Sequence, residues 1–435
     1  MSHPVLREAR SRAEEVAPQV SRQALLDRYD CVRSFTLKLC EPLAPEDMLL
    51  QAMADVSPTK WHLAHTTWFF ERFVLMEHRA GYQACDPQYD FLFNSYYQTL
   101  GPMHARPRRG LLSRPSSEEV RDYRSEVDSR LCEFITSCDD GVFADIEPLV
   151  TLGCHHEQQH QELILSDIKY NLFCNPLLPA YHVPQAAEVP ASLAAPAWVS
   201  FAGGLREIGA SGIGFAFDNE MPRHSTFLEP FALASRLVTN GEYRAFVEDG
   251  GYRRPELWLD LGFGIVQERG WEHPQYWIPE GDRQFTLGGS LPRIDAEPVC
   301  HLSFVEADAY ARWSGHRLPT ESEWEVAAAE SEVTGNFAAS GRFHVSTAAG
   351  DAGDSLQQLF GDVWEWTASP YVGYPGYRPP SGAIGEYNGK FMCNQYVLRG
   401  GSCATPEGHV RATYRNFFPA DARWQFAGLR LAADA

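Results

Sequence analysis

The chain of 435 residues lacks several features that mark common protein classes. Its ten cysteines include no C-x-x-C pair, which argues against a zinc ribbon or a thioredoxin-like redox site. No run of about 18 apolar residues occurs, so the sequence predicts no membrane-spanning helix. Residues 1–33 contain no apolar segment of the signal-peptide kind, which predicts a cytoplasmic protein with mostly free thiols.

Basic residues are also scarce. The chain has 37 Lys and Arg against 57 Asp and Glu, and its formal net charge is -20. Phosphate groups would repel such a chain, so nucleic acids and anionic membranes are disfavoured as partners. We therefore expect small-molecule substrates, while the sequence leaves the oligomeric state open.

The sequence pattern divides the chain into two domains and a linker, because its length exceeds that of one ordinary core. Helical periodicity at 20–40, 57–79, 117–137 and 143–172 predicts an all-α four-helix bundle in residues 1–178. Ser57 and Ser116 are predicted helix caps. Residues 179–198 are rich in Pro and Ala, as in linkers. Residues 199–433 combine short β-like runs with many glycines, and they have helical patterns only at 303–314 and 321–330, which predicts an α+β domain.

Residues 154–160, CHHEQQH, are the most informative stretch. A spacing of four places His156 and His160 on one helix face, where both can reach one metal ion. Imidazole suits iron, zinc, copper and nickel, so the pair alone does not name the metal. The best upstream source of a third ligand is the WHLAH segment at 61–65, which contains His62 and His65.

Other interpretations of this stretch remain open. A pair of histidines four apart arises by chance in many helices. The same residues also match HExxH, the zinc hydrolase signature in which Glu157 would be the general base. Against that interpretation, no Gly-x-x-His continuation follows, since Leu163 stands where the glycine would be. Glu162 lies about 200° around the helix from His160, so we expect it to bond to a neighbouring helix or to orient a ligand.

A long connection between the second and third predicted helices, at 90–115, contains paired tyrosines and four arginines. Loops of this length in compact domains tend to be functional. Solvent exposure is one explanation of these arginines. Their density in an acidic chain favours another, a site for a substrate carboxylate. The residues concerned are Tyr96, Tyr97, Arg106, Arg108, Arg109 and Arg114.

Several blocks of the second domain resemble the formylglycine-generating-enzyme family, which implies a C-type-lectin-like fold. They are RLPTESEWE at 317–325, GDVWEWT at 361–367, VLRGGS at 397–402 and GLRL at 428–431. This fold hosts several chemistries, so the resemblance alone does not imply a function. Formylglycine generation needs a reactive cysteine pair, and Cys393 and Cys403 do not fit its pattern.

A DinB-like helical bundle joined to such a domain resembles the ergothioneine-forming sulfoxide synthases of the EgtB type. The resemblance implies a non-haem iron(II) enzyme that uses O2 to join a thiol sulfur to the imidazole carbon of hercynine, which is Nα-trimethylhistidine. The metal ligands that it implies are His65, His156 and His160. Three neutral nitrogens leave open positions on iron for substrate and O2.

The resemblance also implies a pocket for hercynine between the two domains. Gln159 corresponds to a glutamine that contacts hercynine, and Asn416 to an asparagine that meets its carboxylate. Phe417 would lie beside the quaternary ammonium and attract it by about 0.5 to 2 kcal/mol. Phe418 replaces an aspartate of actinobacterial members, and Arg423 is assigned to the same substrate pocket.

The sulfur donor is predicted from FNSYY at 93–97 together with Asn-Phe-Phe at 416–418, which resemble the subgroup that accepts free cysteine. In that subgroup paired tyrosines near the metal deliver a proton or electron, so Tyr96 and Tyr97 are predicted catalytic residues. Arg106 or Arg109 would bind the cysteine carboxylate.

Three alternatives remain. Selenoneine synthases are also very similar in sequence and join a selenosugar to hercynine. Such a donor has no carboxylate, and its hydroxyls prefer mixed polar and aromatic surfaces, here including Tyr371, Tyr374 and Tyr377. A zinc hydrolase would use Glu157 as its base. A non-catalytic lectin-like binding module would leave the histidine cluster unexplained.

Overall fold

The structure is a computed structural model that describes residues 20–185, 194–350 and 355–435. The first domain is a helical bundle in which the four long helices correspond to the predicted ones, and this confirms its all-α class. The helices are α1 Arg22–Cys40, α2 Thr59–Phe70, α3 Met76–His78, α4 Tyr89–Phe93, α5 Ser117–Ser137 and α6 Asp140–Phe173. A π-helical segment, Glu71–Leu75, connects α2 to α3.

The helix starts explain part of this architecture. Ser116 caps α5 as predicted, because its side chain accepts from the Glu119 N–H while the Glu119 carboxylate accepts from the Ser116 N–H. Ser57 does not cap α2, which begins after Pro58 without a side-chain cap. Its hydroxyl oxygen instead accepts from Arg109 at 2.9 Å, and its N–H donates to Asp167 at 2.8 Å.

Helix α2 lies in the centre of the bundle, where every one of its residues is buried and it packs against α5 and α6. A buried ion-pair network ties the surrounding helices together. Glu157 on α6 accepts from Arg33 on α1 at 2.8 Å, from Thr36 on α1 at 2.6 Å, and from Arg124 on α5. The central helix is therefore held in a rigid frame, which suits a side chain that has to be placed accurately.

The second domain has the predicted α+β class. In the described residues its strands are β1 Trp198–Phe201, β2 Gly204–Ile208, β3 His224–Leu228, β4 Phe231–Ala234, β5 Trp277–Ile278, β6 Arg283–Thr286, β7 Gly289–Pro292, β8 Trp364–Pro370, β9 Gln395–Arg399, β10 Asn416–Pro419, β11 Ala427–Gly428 and β12 Ala432–Asp434. These strands form four small sheets with the orders β1-β4-β12, β2-β3, β5-β6-β7 and β10-β9-β8-β11.

The helices of this domain include two that were predicted and two that were not. The predicted ones are α9 Phe304–Trp313 and α10 Glu321–Ala328. The others precede them in the chain as α7 Asn240–Glu248 and α8 Asp260–Arg269. A signal for α7 was present, because Thr239 and Glu242 form a capping box at its start.

Helix α6 of the first domain also contacts the second domain. The Glu162 carboxylate accepts from Trp364 at 2.7 Å, from Ser402 at 2.6 Å and from Thr405 at 2.7 Å, all in the second domain. The predicted bond to a neighbouring helix is therefore replaced by an interdomain contact. Tyr181, in the predicted linker, is buried and donates its hydroxyl to the Leu39 carbonyl at 2.6 Å.

Two predictions extend beyond the described residues. The prediction about residues 1–33 includes residues 1–19, and the predicted linker includes residues 186–193, all of which lie outside the described part of the chain. The domain boundaries stay a prediction. Within the described chain, no helix is both long and apolar enough to cross a membrane.

Candidate active site

His65 on α2 and His156 and His160 on α6 bring three buried imidazoles together. One nitrogen of each ring lies within 4.8 Å of the others. His65 Nε2 and His156 Nε2 are 3.2 Å apart. Trp61, one turn before His65, stacks on the His65 ring at 4.6 Å between centroids and fixes its plane. The predicted ligand residues therefore share one place in the structure.

Burial keeps these three rings neutral. It lowers the pKa of His156 to about 3, and it lowers the pKa values of His65 and His160 well below the ordinary range. His65 Nδ1 lies 2.6 Å from the Phe93 carbonyl oxygen, which can only accept. His65 therefore carries its proton on Nδ1 and keeps a lone pair on Nε2.

Three converging neutral imidazoles fit a first-row divalent metal ion. Two nitrogens bound at about 2.1 Å and at right angles would be about 3.0 Å apart, close to the His65–His156 separation of 3.2 Å. Three protein ligands also leave further coordination positions for small molecules. The donor set fits the iron(II) that the resemblance implies, and ligation by these residues stays a prediction.

Glu157 does not have the environment of a general base. Burial would raise its pKa, but the ion pairs with Arg124 and Arg33 lower the pKa to about 2. Both of its oxygens are already hydrogen bonded, to Arg33, Arg124 and Thr36. A carboxylate so strongly stabilised as an anion takes up a proton poorly. The zinc hydrolase interpretation therefore loses its catalytic base.

A cleft of about 290 Å³ adjoins the histidines and lies between the two domains. His156 and His160 form part of its wall. The bundle also contributes Asp55, Tyr96, Arg106, Gln159, Glu162, Leu163 and Ser166, and the second domain contributes Trp364, Tyr387, Asn388, Phe391, Gln395, His409, Tyr414, Asn416, Phe417, Phe418, Pro419, Trp424 and Gln425.

Two tyrosines of the second domain hold Gln159 in this cleft. Gln159 Nε2 donates to the Tyr414 hydroxyl at 2.8 Å, and the Tyr387 hydroxyl donates to Gln159 Oε1. The Tyr387 ring also packs edge-on against His156, with centroids 5.5 Å apart. Sequence reasoning assigned no role to either tyrosine. Tyr414 lies beside a recognised motif, but no local pattern marks Tyr387.

Strand β10 presents Asn416, Phe417 and Phe418 to the cleft. The Phe417 ring stacks on Tyr371 with centroids 4.0 Å apart, and Phe418 meets Trp424 edge-on at 5.6 Å. Tyr371 therefore supports Phe417 from behind.

The tyrosines predicted to face a sugar, Tyr371, Tyr374 and Tyr377, do not line the cleft. The Tyr374 hydroxyl is 3.0 Å from the Arg399 guanidinium, and the Tyr377 hydroxyl donates to Asp218 at 2.7 Å. These polar contacts hold both tyrosines within the second domain.

Tyr96 and Tyr97 occupy different positions. Tyr96 lines the cleft, with its ring 6.0 Å from Tyr387, whereas Tyr97 lies fully buried behind it at 4.6 Å between centroids. Burial raises the pKa of both phenols above the ordinary range, so both stay protonated near neutral pH. Of the pair, Tyr96 is the one placed to meet a substrate.

The structure separates the predicted arginine cluster. Arg106 lines the cleft and donates to the Asp55 carbonyl. Arg109 is not part of the cleft wall: it is buried against Trp61 at 3.3 Å and donates to Ser57 and Ser95. Contacts within the bundle thus engage the guanidinium of Arg109, which does not reach the cleft where the predicted substrate carboxylate would bind.

Two further arginines also lie elsewhere. Arg114 is turned to the Ser113 carbonyl, at 2.9 Å. Arg423 pairs with Glu306 at 3.1 Å and donates to the His273 carbonyl at 2.8 Å. These contacts hold Arg423 inside the second domain, so the cleft receives its neighbour Trp424 instead.

Comparison with known proteins agrees with this architecture. Residues 28–164 match the DinB superfamily, and residues 184–355 and 347–435 match the sulfatase-modifying factor enzyme 1-like domain. A hercynine oxygenase of Mycolicibacterium smegmatis is 32% identical over 95% of this chain and 100% of its own length. One from Mycobacterium tuberculosis is 33% identical over 92% and 96%. A formylglycine-generating enzyme of the same organism is 30% identical but matches only 38% of this chain. The chain belongs to the hercynine oxygenase family, the ergothioneine-type sulfoxide synthases.

Proposed function

We propose that this chain is a non-haem iron(II), O2-dependent synthase that joins the sulfur of cysteine to the imidazole carbon of hercynine. Membership of the family supports an oxidoreductase of the oxygenase kind in hercynine-related ergothioneine biosynthesis. The observation that carries the proposal is the cluster of three neutral, buried imidazoles beside an interdomain cleft with aromatic and amide walls.

Each part of hercynine finds a matching group in the cleft. The Phe417 ring, which stacks on both Tyr371 and Phe391, can lie beside the trimethylammonium group. The Asn416 amide can donate to the carboxylate. Gln159, held by Tyr387 and Tyr414, can bond to the imidazole and hold its reactive carbon towards the three histidines.

The chemistry that iron(II) bound by His65, His156 and His160 would supply is the activation of O2. The side chains around it prepare the site for that chemistry. Tyr96 holds a proton on its phenol oxygen at the cleft wall, where a substrate can receive it. Tyr97 and Trp68 pack closely behind, and their burial excludes water from this side.

One observation favours a selenosugar as an alternative donor. Of the four predicted arginines, only Arg106 lines the cleft, so a carboxylate would meet one cation. The wall also contains neutral amides and aromatic rings, including Asn388, Phe391 and Gln395. Sugar hydroxyls suit such a surface, and the same metal site would serve both donors.

The test is anaerobic reconstitution with iron(II) and hercynine, followed by O2 and mass analysis of the products. Cysteine, γ-glutamylcysteine and 1-selenoglucose are compared under identical conditions. Efficient C–S product from cysteine supports the proposal, and product from the selenosugar alone would replace the donor. His65→Ala should lose both iron and turnover. Full iron content and turnover in that variant, with loss of both in His62→Ala, would make His62 the third ligand.

A further inference from the structure

A chain of hydrogen bonds extends from His160 to the second domain. His160 Nδ1 lies 2.7 Å from His62 Nδ1, and His62 Nε2 lies 3.1 Å from Asp167 Oδ2. Asp167 also accepts from the Ser57 N–H at 2.8 Å and from the Trp424 indole N–H at 3.1 Å. His62 and Asp167 are both 2% exposed. These buried polar groups therefore depend on one another for their hydrogen bonds.

Two groups that can only donate determine the direction of each hydrogen bond between Asp167, His62 and His160. The backbone N–H of Ser57 and the indole N–H of Trp424 can only donate, so the Asp167 carboxylate accepts on both oxygens. A carboxylate has no proton to donate, so the His62 Nε2–H donates to it. A neutral imidazole has one N–H, so the other ring nitrogen, His62 Nδ1, keeps its lone pair.

The contact between the two Nδ1 atoms then has one possible arrangement. Because His62 Nδ1 accepts, His160 Nδ1 is the donor and carries the proton of its ring. His160 Nε2 consequently keeps its lone pair. The Phe93 carbonyl imposes the same tautomer on His65 by a single contact.

We infer that His62 and Asp167 are positioning residues that hold His160 in its metal-binding tautomer, and that Trp424 supplies the second domain's part of this arrangement. The inference rests on the three-histidine site of the proposed function. Partners behind a ligating histidine commonly fix its tautomer and orientation in this way. Here the carboxylate acts through a second imidazole. Docking of the second domain would thus contribute to metal affinity as well as to substrate binding.

The direct test is the tautomer of His160 in metal-free protein labelled with 15N-histidine. Long-range 1H–15N correlation spectra distinguish an Nδ1–H ring from an Nε2–H ring, and the His160→Gln variant assigns the signal. The wild type should show Nδ1–H. His62→Leu removes the acceptor and should lose that preference. An unchanged tautomer in His62→Leu would overturn the inference.

Metal affinity gives an independent measurement, by anaerobic titration with iron(II). Removing a partner of a ligand typically weakens affinity by about 10- to 100-fold, and His62→Leu should fall in that range. His62→Asn keeps an acceptor oxygen near the position of Nδ1 and should recover most of the affinity. Equal weakening in both variants would show that His62 acts through the packing of its ring, which would refute the tautomer argument. Wild-type affinity in His62→Leu would also refute it.

Two tryptophans provide a matched comparison across the interface. Trp424→Phe removes the hydrogen bond to Asp167. Trp364→Phe removes a similar hydrogen bond to Glu162, whose other bonds join it to Ser402 and Thr405 and not to a proposed metal ligand. Only the first should weaken iron binding, and this pair decides the matter if His62→Leu does not fold. Equal effects of the two would overturn the role of Trp424.

His65→Ala separates the two hypotheses. Loss of iron in His65→Ala but not in His62→Leu would refute the inference and leave the three-histidine site standing. Full iron binding by His65→Ala would refute the site itself.

Discussion

Replacement of Glu157 by glutamine should lower the free energy of unfolding and leave the turnover of the folded enzyme largely unchanged. The carboxylate is fully buried and joins α6 to Arg33 on α1 and Arg124 on α5. A glutamine would keep the shape of the side chain but remove its charge, so Arg124 would lose its buried anion while Arg33 would keep its pair with Asp128. Breaking a buried pair in this way commonly costs about 3 to 5 kcal/mol.

The shift in the Glu157 pKa gives a similar magnitude. A carboxyl group whose pKa falls from 4.5 unfolded to about 2 folded contributes roughly 3 kcal/mol of stability at neutral pH. Because the folded value is the lower one, this contribution is complete above the unfolded pKa of 4.5. It is lost as the pH falls towards 2. Wild type and Glu157→Gln should therefore differ most in stability at neutral pH and converge in acid.

The assay is urea unfolding followed by far-UV circular dichroism at several pH values, with turnover measured at low temperature where the variant is folded. Glu126→Gln is the control, because it breaks an exposed pair with Arg130 and should cost less than about 1 kcal/mol. Wild-type stability in Glu157→Gln would refute the argument from buried charge. A stable, folded variant without turnover would restore Glu157 as a catalytic base.

Three further outcomes are expected. Phe417→Leu should weaken hercynine binding by about 2- to 30-fold, which corresponds to a cation–π contribution of about 0.5 to 2 kcal/mol, whereas Phe417→Trp should not weaken it. Equal hercynine affinities of Phe417→Leu and the wild type, measured by calorimetry, would exclude the contact. Arg106→Gln should raise the KM for cysteine by about tenfold to a hundredfold because a charge-assisted hydrogen bond is lost, and it should leave the KM values for hercynine and a selenosugar unchanged. An unchanged KM for cysteine would show that Arg106 is not part of the donor site. Residues 1–185 expressed alone should not bind hercynine, and tight calorimetric binding by that fragment would place the substrate outside the interdomain cleft.

Sequence reasoning succeeded where the information is local. The spacing of His156 and His160 defines one helix face whatever surrounds it, and the structure brings His65 to the same place. The start of α5 at Ser117 follows from the capping box formed by Ser116 and Glu119, which lies within four consecutive residues. Such features need no knowledge of tertiary contacts.

The same reasoning failed where distant segments compete for one side chain. Arg106 and Arg109 are three residues apart, yet one lines the cleft and the other is buried beneath Trp61. Ser57 has a suitable position for a helix cap, but Arg109 and Asp167 engage its polar groups instead. Partners about fifty residues away or more decide both outcomes, and no local pattern identifies them.

Helix α6 shows why one short motif can organise a site formed by two domains. At 3.6 residues per turn, the seven residues from His160 to Asp167 bring the helix within about 20° of two full turns, so both face α2 and meet His62. Glu157 lies about 100° from His156 and meets α1 and α5 instead. Glu162, about 200° around from His160, reaches the second domain. A single helix thus supplies, on three separate faces, two of the three proposed ligands, a contact with the rest of the bundle and a contact with the second domain. The three-histidine cluster and the cleft cannot shift independently of each other, because any rotation of α6 would disturb all three sets of contacts.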